Sequence, residues 1–311
     1  MAFDDTEEFD LEKIQREFNI SQNRINNLTI DKSELAKIYH DFQLCIPKLE
    51  KIKSEILSIL NNKLSGKVHS IRCRIKDKDH LMEKIMRNAY NKPDKYAQLN
   101  MDNYNKIITD LIGVRIIILD KRDWREIHNS LLEIFRNLPE RYADKPKDII
   151  INYDKYNEYN EKTDTDSRAL QISYHAEKPV VYITSENDRE LYQDSNLNVD
   201  NSKTHYRSLH YIIRYKFVYF EIQVRTLFEE GWLEFDHRIK YPCDQDNKKK
   251  QEYTSVLSSL AVAADRLISF YDEMDFQQEV DDALTDTAQG NAANAEALTE
   301  QNLETKMTQM F

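Results

Sequence analysis

Two carboxylates and a set of cations recur along the chain in patterns that would bring them to phosphate groups. Between Val218 and Thr226 the residues Val218, Phe220, Ile222 and Val224 alternate with Tyr219, Glu221, Gln223 and Arg225. A strand here buries the first set and presents the second on its other face. A carboxylate, an amide and a guanidinium then share one surface, although any half-exposed strand carries the same alternation. Val68 to Lys78 alternates Ile71, Cys73 and Ile75 with Arg72, Arg74, Lys76 and Lys78. Four cations along one strand face repel one another unless water or a polyanion meets them, which suits a phosphate-rich ligand and equally a charge-protected edge strand. Asp110 precedes the apolar run Val114 to Leu119, where an aspartate serves either as a metal ligand at a strand end or as a turn or cap residue.

These segments together make an inventory for a magnesium nucleotide site. Mg²⁺ sits on one or two carboxylates and completes its shell with water and substrate phosphates, while Arg and Lys neutralise the remaining charge. The chain has only four glycines and neither GxxxxGK[ST] nor GxGxxG. Side chains, not a glycine-rich backbone cradle, must therefore hold the phosphates.

Such residues need a sheet to carry them and helices to cover it. Ser33 to Leu64 sets Leu35, Ile38, Phe42, Ile46, Leu49, Ile52, Ile56 and Ile59 or Leu60 at three- and four-residue steps, which predicts a helix that Pro47 divides in two or kinks. Trp124 to Asn137 predicts a second, with Ile127, Leu131, Ile134 and Phe135 inward. Tyr253 to Met274 predicts a third, with Val256, Leu260, Ala263, Leu267 and Phe270 as a core-facing stripe. Lys248 to Lys250 reads as a solvated turn. The expected fold is α/β, a mixed β-sheet flanked by helices with N- and C-terminal helical extensions.

At 311 residues and 40% hydrophobic content the chain can bury one substantial core. It opens on the acidic MAFDDTEEFD and its apolar runs are only strand-sized, so neither a signal peptide nor a membrane span is expected. Cys45, Cys73 and Cys243 form neither a disulfide framework nor a zinc pattern, which suits the cytoplasm. The net charge of −11 is concentrated at the end, where ten acidic residues and one lysine follow from Asp272 onward. The nearly neutral remainder gives no broad basic surface for nucleic acid. The expected division is a helical extension over 1–65, a catalytic domain over 66–245, a helix over 246–276 and an acidic, weakly ordered tail or lone helix over 277–311.

In order along the chain, RIKDKDHLMEKI (Arg74 to Ile85), TDLIGVRIIILD (Thr109 to Asp120), HYRSLH (His205 to His210), EIQVRT (Glu221 to Thr226) and EEGWLEFDHRIKY (Glu229 to Tyr241) resemble the motifs of the RelA/SpoT homologue synthetase domain, whose members make the alarmones pppGpp and ppGpp. The resemblance covers a little over half the chain and implies a nucleotidyltransferase-like fold. It implies transfer of the β,γ-pyrophosphate of ATP to the ribose 3′-hydroxyl of GTP or GDP, with release of AMP. Asp110 and Glu221 would be the catalytic pair and would bind Mg²⁺, Glu221 serving alternatively as the base for the acceptor hydroxyl. Arg74, Lys76, Lys84 and Arg115 would hold ATP; Tyr206, His210, Gln223 and Arg225 would form the acceptor site, with Tyr206 stacking on the base. The bifunctional members carry a separate N-terminal hydrolase domain, and the motifs here begin at Arg74, so synthesis without hydrolysis is expected.

The chain departs from the family pattern at the acceptor loop. His205 stands where the family has glycine, and Ser202 and Thr204 replace an upstream lysine and asparagine. The segment Lys145 to Asp200 replaces a shorter connection and reads as a lid, a recognition loop or a surface excursion. Toxin-type members transfer pyrophosphate to the tRNA 3′ end, and that acceptor stays open here beside GTP and GDP; an adenosine nucleotide acceptor or a silent nucleotide sensor is a further alternative. A homo-oligomer and a neutralising antitoxin or other regulator are also left open, since the sequence displays no exposed stripe that would demonstrate self-association.

Overall fold

The computed structural model describes residues 8–135, 173–184, 186–202, 206–216, 218–240 and 248–288. Seven strands, β1 (Ser70–Ile75), β2 (Ile112–Ile118), β3 (Ser173–His175), β4 (Val180–Ile183), β5 (Asn198–Asn201), β6 (Ser208–Tyr215) and β7 (Val218–Thr226), form one sheet in the order β1-β2-β7-β6-β4-β5, with β3 also pairing with β6. The sheet is mixed, as expected. β2 with β7 and β4 with β5 run parallel, and the other pairs are antiparallel. The described helices are α1 (Leu11–Glu17), α2 (Gln22–Asn26), α3 (Lys32–Lys63), α4 (Lys78–Asn91), α5 (Pro93–Tyr96), α6 (Tyr104–Ile107), α7 (Trp124–Ile134), α8 (Glu186–Leu191), α9 (Leu227–Lys240) and α10 (Lys248–Ala288).

Register decides which side chains share the site. Arg74, Gly113 and Glu221 stand opposite one another across β1, β2 and β7, and Arg72, Arg115, Gln223 and His210 form the next row, which reaches β6. The other face carries Val114, Ile116, Tyr211, Ile222 and Val224, all buried in one hydrophobic core. Trp124, Ile127 and Leu131 of α7 belong to the same core, and His128 bonds the Tyr211 hydroxyl at 3.0 Å. The period-two patterns thus lie one face in the core and one in the site.

The helix starts follow from short polar side chains that satisfy free backbone N–H groups. Asp31 accepts from Ser33 N at the start of α3, and Asp77 accepts from Asp79 N and His80 N at the start of α4. That cap shortens the expected basic strand. β1 ends at Ile75, Lys76 follows it and Lys78 opens α4, so only Arg72 and Arg74 project from the strand itself. β1 is also a sheet edge, as the charge-protected reading required.

Pro47 does not divide α3, which runs unbroken for 32 residues; Leu35, Ile38, Phe42, Leu49, Ile52, Ile56 and Leu60 are buried along it, and this burial offsets the missing backbone hydrogen bond. The expected replacement segment Lys145 to Asp200 lies outside the described residues up to 172. Its described part builds β3, β4 and α8 and most of β5, and so extends the sheet.

The largest correction concerns the C-terminal helix. α10 starts at Lys248, where a turn was expected, and continues past 276 to Ala288; residues 289–311 lie outside the described residues. Its apolar stripe does not face the core. Val256, Leu260, Leu267 and Phe270 are exposed, whereas Thr254, Ser258, Asp265 and Ser269 are buried. Periodicity shows that a helix has an apolar face and leaves open which face meets the domain. No helix among the described residues is long and apolar enough to cross a membrane.

Candidate active site

A cleft of about 280 Å³ opens over the polar face of the sheet, lined by Arg72, Arg74, Lys76, Asp110, Arg115, Glu221 and Gln223 with Gly113 in its floor. Gly113 lies between Arg74 and Glu221 in the cross-strand row, so no side chain separates the guanidinium from the carboxylate.

Asp110 occupies the turn before β2. Lys76 Nζ and Lys84 Nζ, from the end of β1 and from α4, each lie 2.8 Å from its Oδ2. Burial alone would raise the Asp110 pKa, but the two ammoniums outweigh it and hold the carboxyl below its ordinary value. The other oxygen, Oδ1, is buried without a hydrogen-bond partner. An ionised carboxylate with one oxygen anchored and the other bare suits a hard cation.

Five side chains beside it close a ring of hydrogen bonds. Tyr206 Oη lies 2.6 Å from His210 Nε2, and His210 Nδ1 lies 2.9 Å from Glu221 Oε1. Gln223 Nε2 donates to Glu221 Oε2 at 2.7 Å, and Arg225 Nη2 donates to Gln223 Oε1 and back to the Tyr206 hydroxyl at 2.5 and 2.7 Å. Because an ionised carboxylate only accepts, Nδ1 of His210 carries the proton toward Glu221, and its Nε2 can accept from Tyr206. Burial would raise the Glu221 pKa, but the hydrogen bond from His210 outweighs it and brings the group below the ordinary glutamate value. Glu221 is therefore a carboxylate near neutral pH, with both oxygens aligned.

Arg225 is buried and also bonds Ser208 Oγ at 3.2 Å and Glu230 Oε2 at 2.9 Å, with its guanidinium 5.2 Å from the Tyr206 ring centroid. Glu230, in the first turn of α9, reaches Arg115 Nη1 with its other oxygen at 2.7 Å. It thereby links the guanidinium lining the cleft to the one behind Tyr206. Arg115 also pairs with Glu234 one turn further along α9. Trp232 of the same helix is buried and donates from Nε1 to the Thr254 carbonyl of α10 at 2.8 Å.

A family model described as "Region found in RelA / SpoT proteins" matches residues 73–246, more than half of the chain. The chain belongs to the RelA/SpoT family. Arg74, Lys76, Lys84, Asp110, Arg115, Tyr206, His210, Glu221, Gln223 and Arg225 all fall within the matched region. Similar solved structures include a GTP pyrophosphokinase family protein from Streptococcus pneumoniae, at 14% identity over 75% of this chain and 91% of that one, TM-score 0.45. Small alarmone synthetase 1 from Bacillus subtilis bound to its product pppGpp is 16% identical over 76% and 97%, TM-score 0.44. Small alarmone synthetase 2 from the same organism is 17% identical over 75% and 95%, TM-score 0.40. No curated protein matches the sequence significantly.

Every residue expected in the RelA/SpoT-type site lies in the cleft or in the contacts just described. His205 and Tyr241 lie outside the described residues. Three residues escaped the sequence reading. Glu230 and Glu234 sit on one face of α9 at an i, i+4 spacing that was legible but pointed to no partner. Tyr182 of β4 packs edge-on against Tyr206 and His210, with ring centroids 5.8 and 5.0 Å away. It comes from the segment read as a lid or loop, so only strand pairing could place it there.

A divalent cation fits this donor set in a limited way. Among the described residues no group of three or more His, Cys, Asp or Glu side chains could hold a metal on its own. Asp110 and Glu221 supply two carboxylates, the number Mg²⁺ commonly takes when phosphates and water complete its shell.

Proposed function

We propose that this RelA/SpoT family member is a Mg²⁺-dependent pyrophosphokinase that transfers the β,γ-pyrophosphate of ATP to the ribose 3′-hydroxyl of GTP or GDP. The observation that carries the reading is a cleft in which two ionised carboxylates stand among Arg72, Arg74, Lys76 and Arg115. That pairing of carboxylates with a cationic wall matches a polyphosphate bound together with a divalent cation.

Arg74, Lys76, Lys84 and Arg115 neutralise the ATP phosphates. Lys76 and Lys84 already point at Asp110, so a triphosphate entering there finds both ammoniums in place. The ring of Tyr206 takes the acceptor base, Arg225 and His210 fix its hydroxyl, and Tyr182 walls its edge. The acceptor 3′-oxygen attacks the β-phosphorus, the bond from that phosphorus to the oxygen bridging the α-phosphorus breaks, and AMP leaves with the bridging oxygen. The hydroxyl proton passes to Glu221, which His210 and Gln223 hold in place. Mg²⁺, held by Asp110 with Glu221 beside it, would supply Lewis-acid neutralisation of the phosphate oxygens.

The test is incubation of the full chain and Mg²⁺ with ATP labelled at the γ-phosphate, offering GDP, GTP, ATP and deacylated tRNA in separate reactions. Label in a guanosine nucleotide, lost on addition of EDTA, supports the reading. Label confined to tRNA replaces it with a tRNA-modifying toxin, and label in no acceptor refutes pyrophosphate transfer by this chain.

A further inference from the structure

Glu230 lies buried between the two sides of the site. Its Oε1 accepts from Arg115 Nη1 at 2.7 Å, and its Oε2 accepts from Arg225 Nη1 at 2.9 Å. Arg115 lines the cleft proposed for ATP, and Arg225 donates to the hydroxyl of Tyr206, the ring proposed for the acceptor base, at 2.7 Å. Glu230 is only 6% exposed. One carboxylate, shielded from water, thus orients a guanidinium for each substrate.

Local sequence fixes this placement. Where β7 passes into α9, Thr226 N donates to Glu229 Oε2 at 3.0 Å and Glu229 N donates to Thr226 Oγ1 at 3.1 Å. This capping box sets the start and direction of the helix, and the next residue, Glu230, is aimed back over β7 and β2. There Arg115 pairs in register with Gln223, two residues before Arg225 on β7. The two guanidiniums are therefore diagonal neighbours on one face, and the carboxylate between them offsets their repulsion. Arg115 Nη1 also meets Glu234, so α9 holds that one nitrogen while the rest of the fork can turn to a phosphate without releasing Glu230.

We propose that Glu230 is a positioning residue that couples the two substrates: ATP bound at Arg115 tightens binding of the guanosine nucleotide at Tyr206 and Arg225, and the guanosine nucleotide tightens binding of ATP. The inference rests on the ATP and acceptor assignments made above. A buried ion pair adds little to stability, because desolvation of the charges offsets their attraction. A shared one does correlate its partners, since fixing either guanidinium fixes the carboxylate and through it the other guanidinium. The first nucleotide bears the ordering of the bridge from Arg115 through Glu230 to Arg225, and the second meets a site already set. Linkage makes the effect equal in both directions, and the lower end of the usual range corresponds to about 5- to 10-fold in affinity.

The test is titration calorimetry of GDP into the full chain with Mg²⁺, without and with saturating α,β-methylene ATP, whose carbon bridge replaces the oxygen bridge that transfer breaks. The reciprocal titration of the analogue is made without and with GDP. In the wild type each nucleotide binds about 5- to 10-fold more tightly when the other is present. Glu230→Gln, whose amide oxygen can accept from one guanidinium while its NH₂ opposes the other, still binds both nucleotides, and the ratio falls to about one. Glu230→Asp keeps the charge but is a methylene too short to span both strands; it gives the same loss and serves if the glutamine variant does not fold. Glu234→Gln, which touches Arg115 and not Arg225, keeps the wild-type ratio. A wild type that binds the two nucleotides independently overturns the proposal. Glu230 variants that keep the wild-type ratio overturn it too, because the coupling would then pass directly between the ligands, as does a Glu234→Gln variant that loses the ratio. A wild type that binds the analogue and shows no GDP binding in either titration refutes the acceptor assignment itself and the coupling with it, a result distinct from independent binding.

Discussion

Asp265 offers a test of how α10 is held on the domain. It is buried on the inward side of that helix, and its Oδ1 has no hydrogen-bond partner. Burial first, and then the nearby Glu229 charge, push its pKa from the ordinary 3.8 up to about 7, against the opposing pull of a Thr226 hydrogen bond and the Arg207 charge. Between about pH 4 and pH 7 the folded chain therefore keeps a proton that the unfolded chain has released. The sign follows directly: the folded state binds more protons in that window, so stability falls as pH rises and levels off above pH 7. Integrating this one group from pH 5 to pH 8 gives a loss of about 2 to 3 kcal/mol. Asp265→Asn removes the titration and retains a side chain of the same shape that can still hydrogen-bond Thr226. The assay is urea unfolding of the wild type and the variant at pH 5 and pH 8. The variant should gain on the wild type by about 2 to 3 kcal/mol between the two values; groups that do not interact with Asp265 titrate alike in both proteins and largely cancel. Stabilities that move in parallel with pH would refute the assignment of a raised pKa to Asp265 and, with it, the buried polar docking of α10.

Glu221→Gln keeps the hydrogen bond to Gln223 and loses the charge opposite His210, so the melting temperature should hold within a few degrees while transfer falls by about 10²- to 10⁴-fold; a fully active variant would remove Glu221 from the chemistry. Glu234→Gln frees Arg115 from an exposed carboxylate on α9, and the KM for ATP should fall by up to about fivefold with kcat unchanged, since such a pair is worth at most about 1 kcal/mol; an unaltered KM would show that Arg115 does not meet ATP. Tyr182→Ala should raise the acceptor KM by about 2- to 10-fold, the worth of an edge-on aromatic contact, leaving the KM for ATP alone. Tyr182→Phe should restore it, and equal effects on both substrates would place Tyr182 outside the acceptor site.

How much of this site could be read from the sequence follows from which interactions are local. The alternation over Val218 to Thr226 marks Glu221, Gln223 and Arg225 as one face because a strand has a fixed period of two, and the structure has that strand over the same residues. Asp110 was legible from its place before an apolar run, whereas Asp31 and Asp77, which cap their helices through backbone groups two or three residues away, emerge only in the structure. The basic run was read too long because Asp77 within it caps a helix, a competing local signal that ended the strand at Ile75. Motif order added the family, which composition and spacing alone would not have supplied.

The sequence by itself determined the periods: which segments are strands or helices, which of their faces are apolar, and which side chains stand together on one strand. Only the tertiary structure decided what each face meets. The closed ring from Tyr206 through His210, Glu221, Gln223 and Arg225 depends on the pairing of β6 with β7, where a one-residue slip of β7 would turn Glu221, Gln223 and Arg225 together toward the core. Tyr182 reaches Tyr206 because β4 pairs with β6, and Glu230 joins Arg115 to Arg225 because α9 folds back over two strands. α10 shows the limit most plainly. A stripe at three- and four-residue steps looks the same whether the domain or another helix covers it, and here buried hydrogen bonds donated by Arg207 and Trp232 and accepted by Asp120 fix the polar side inward and leave the apolar side out.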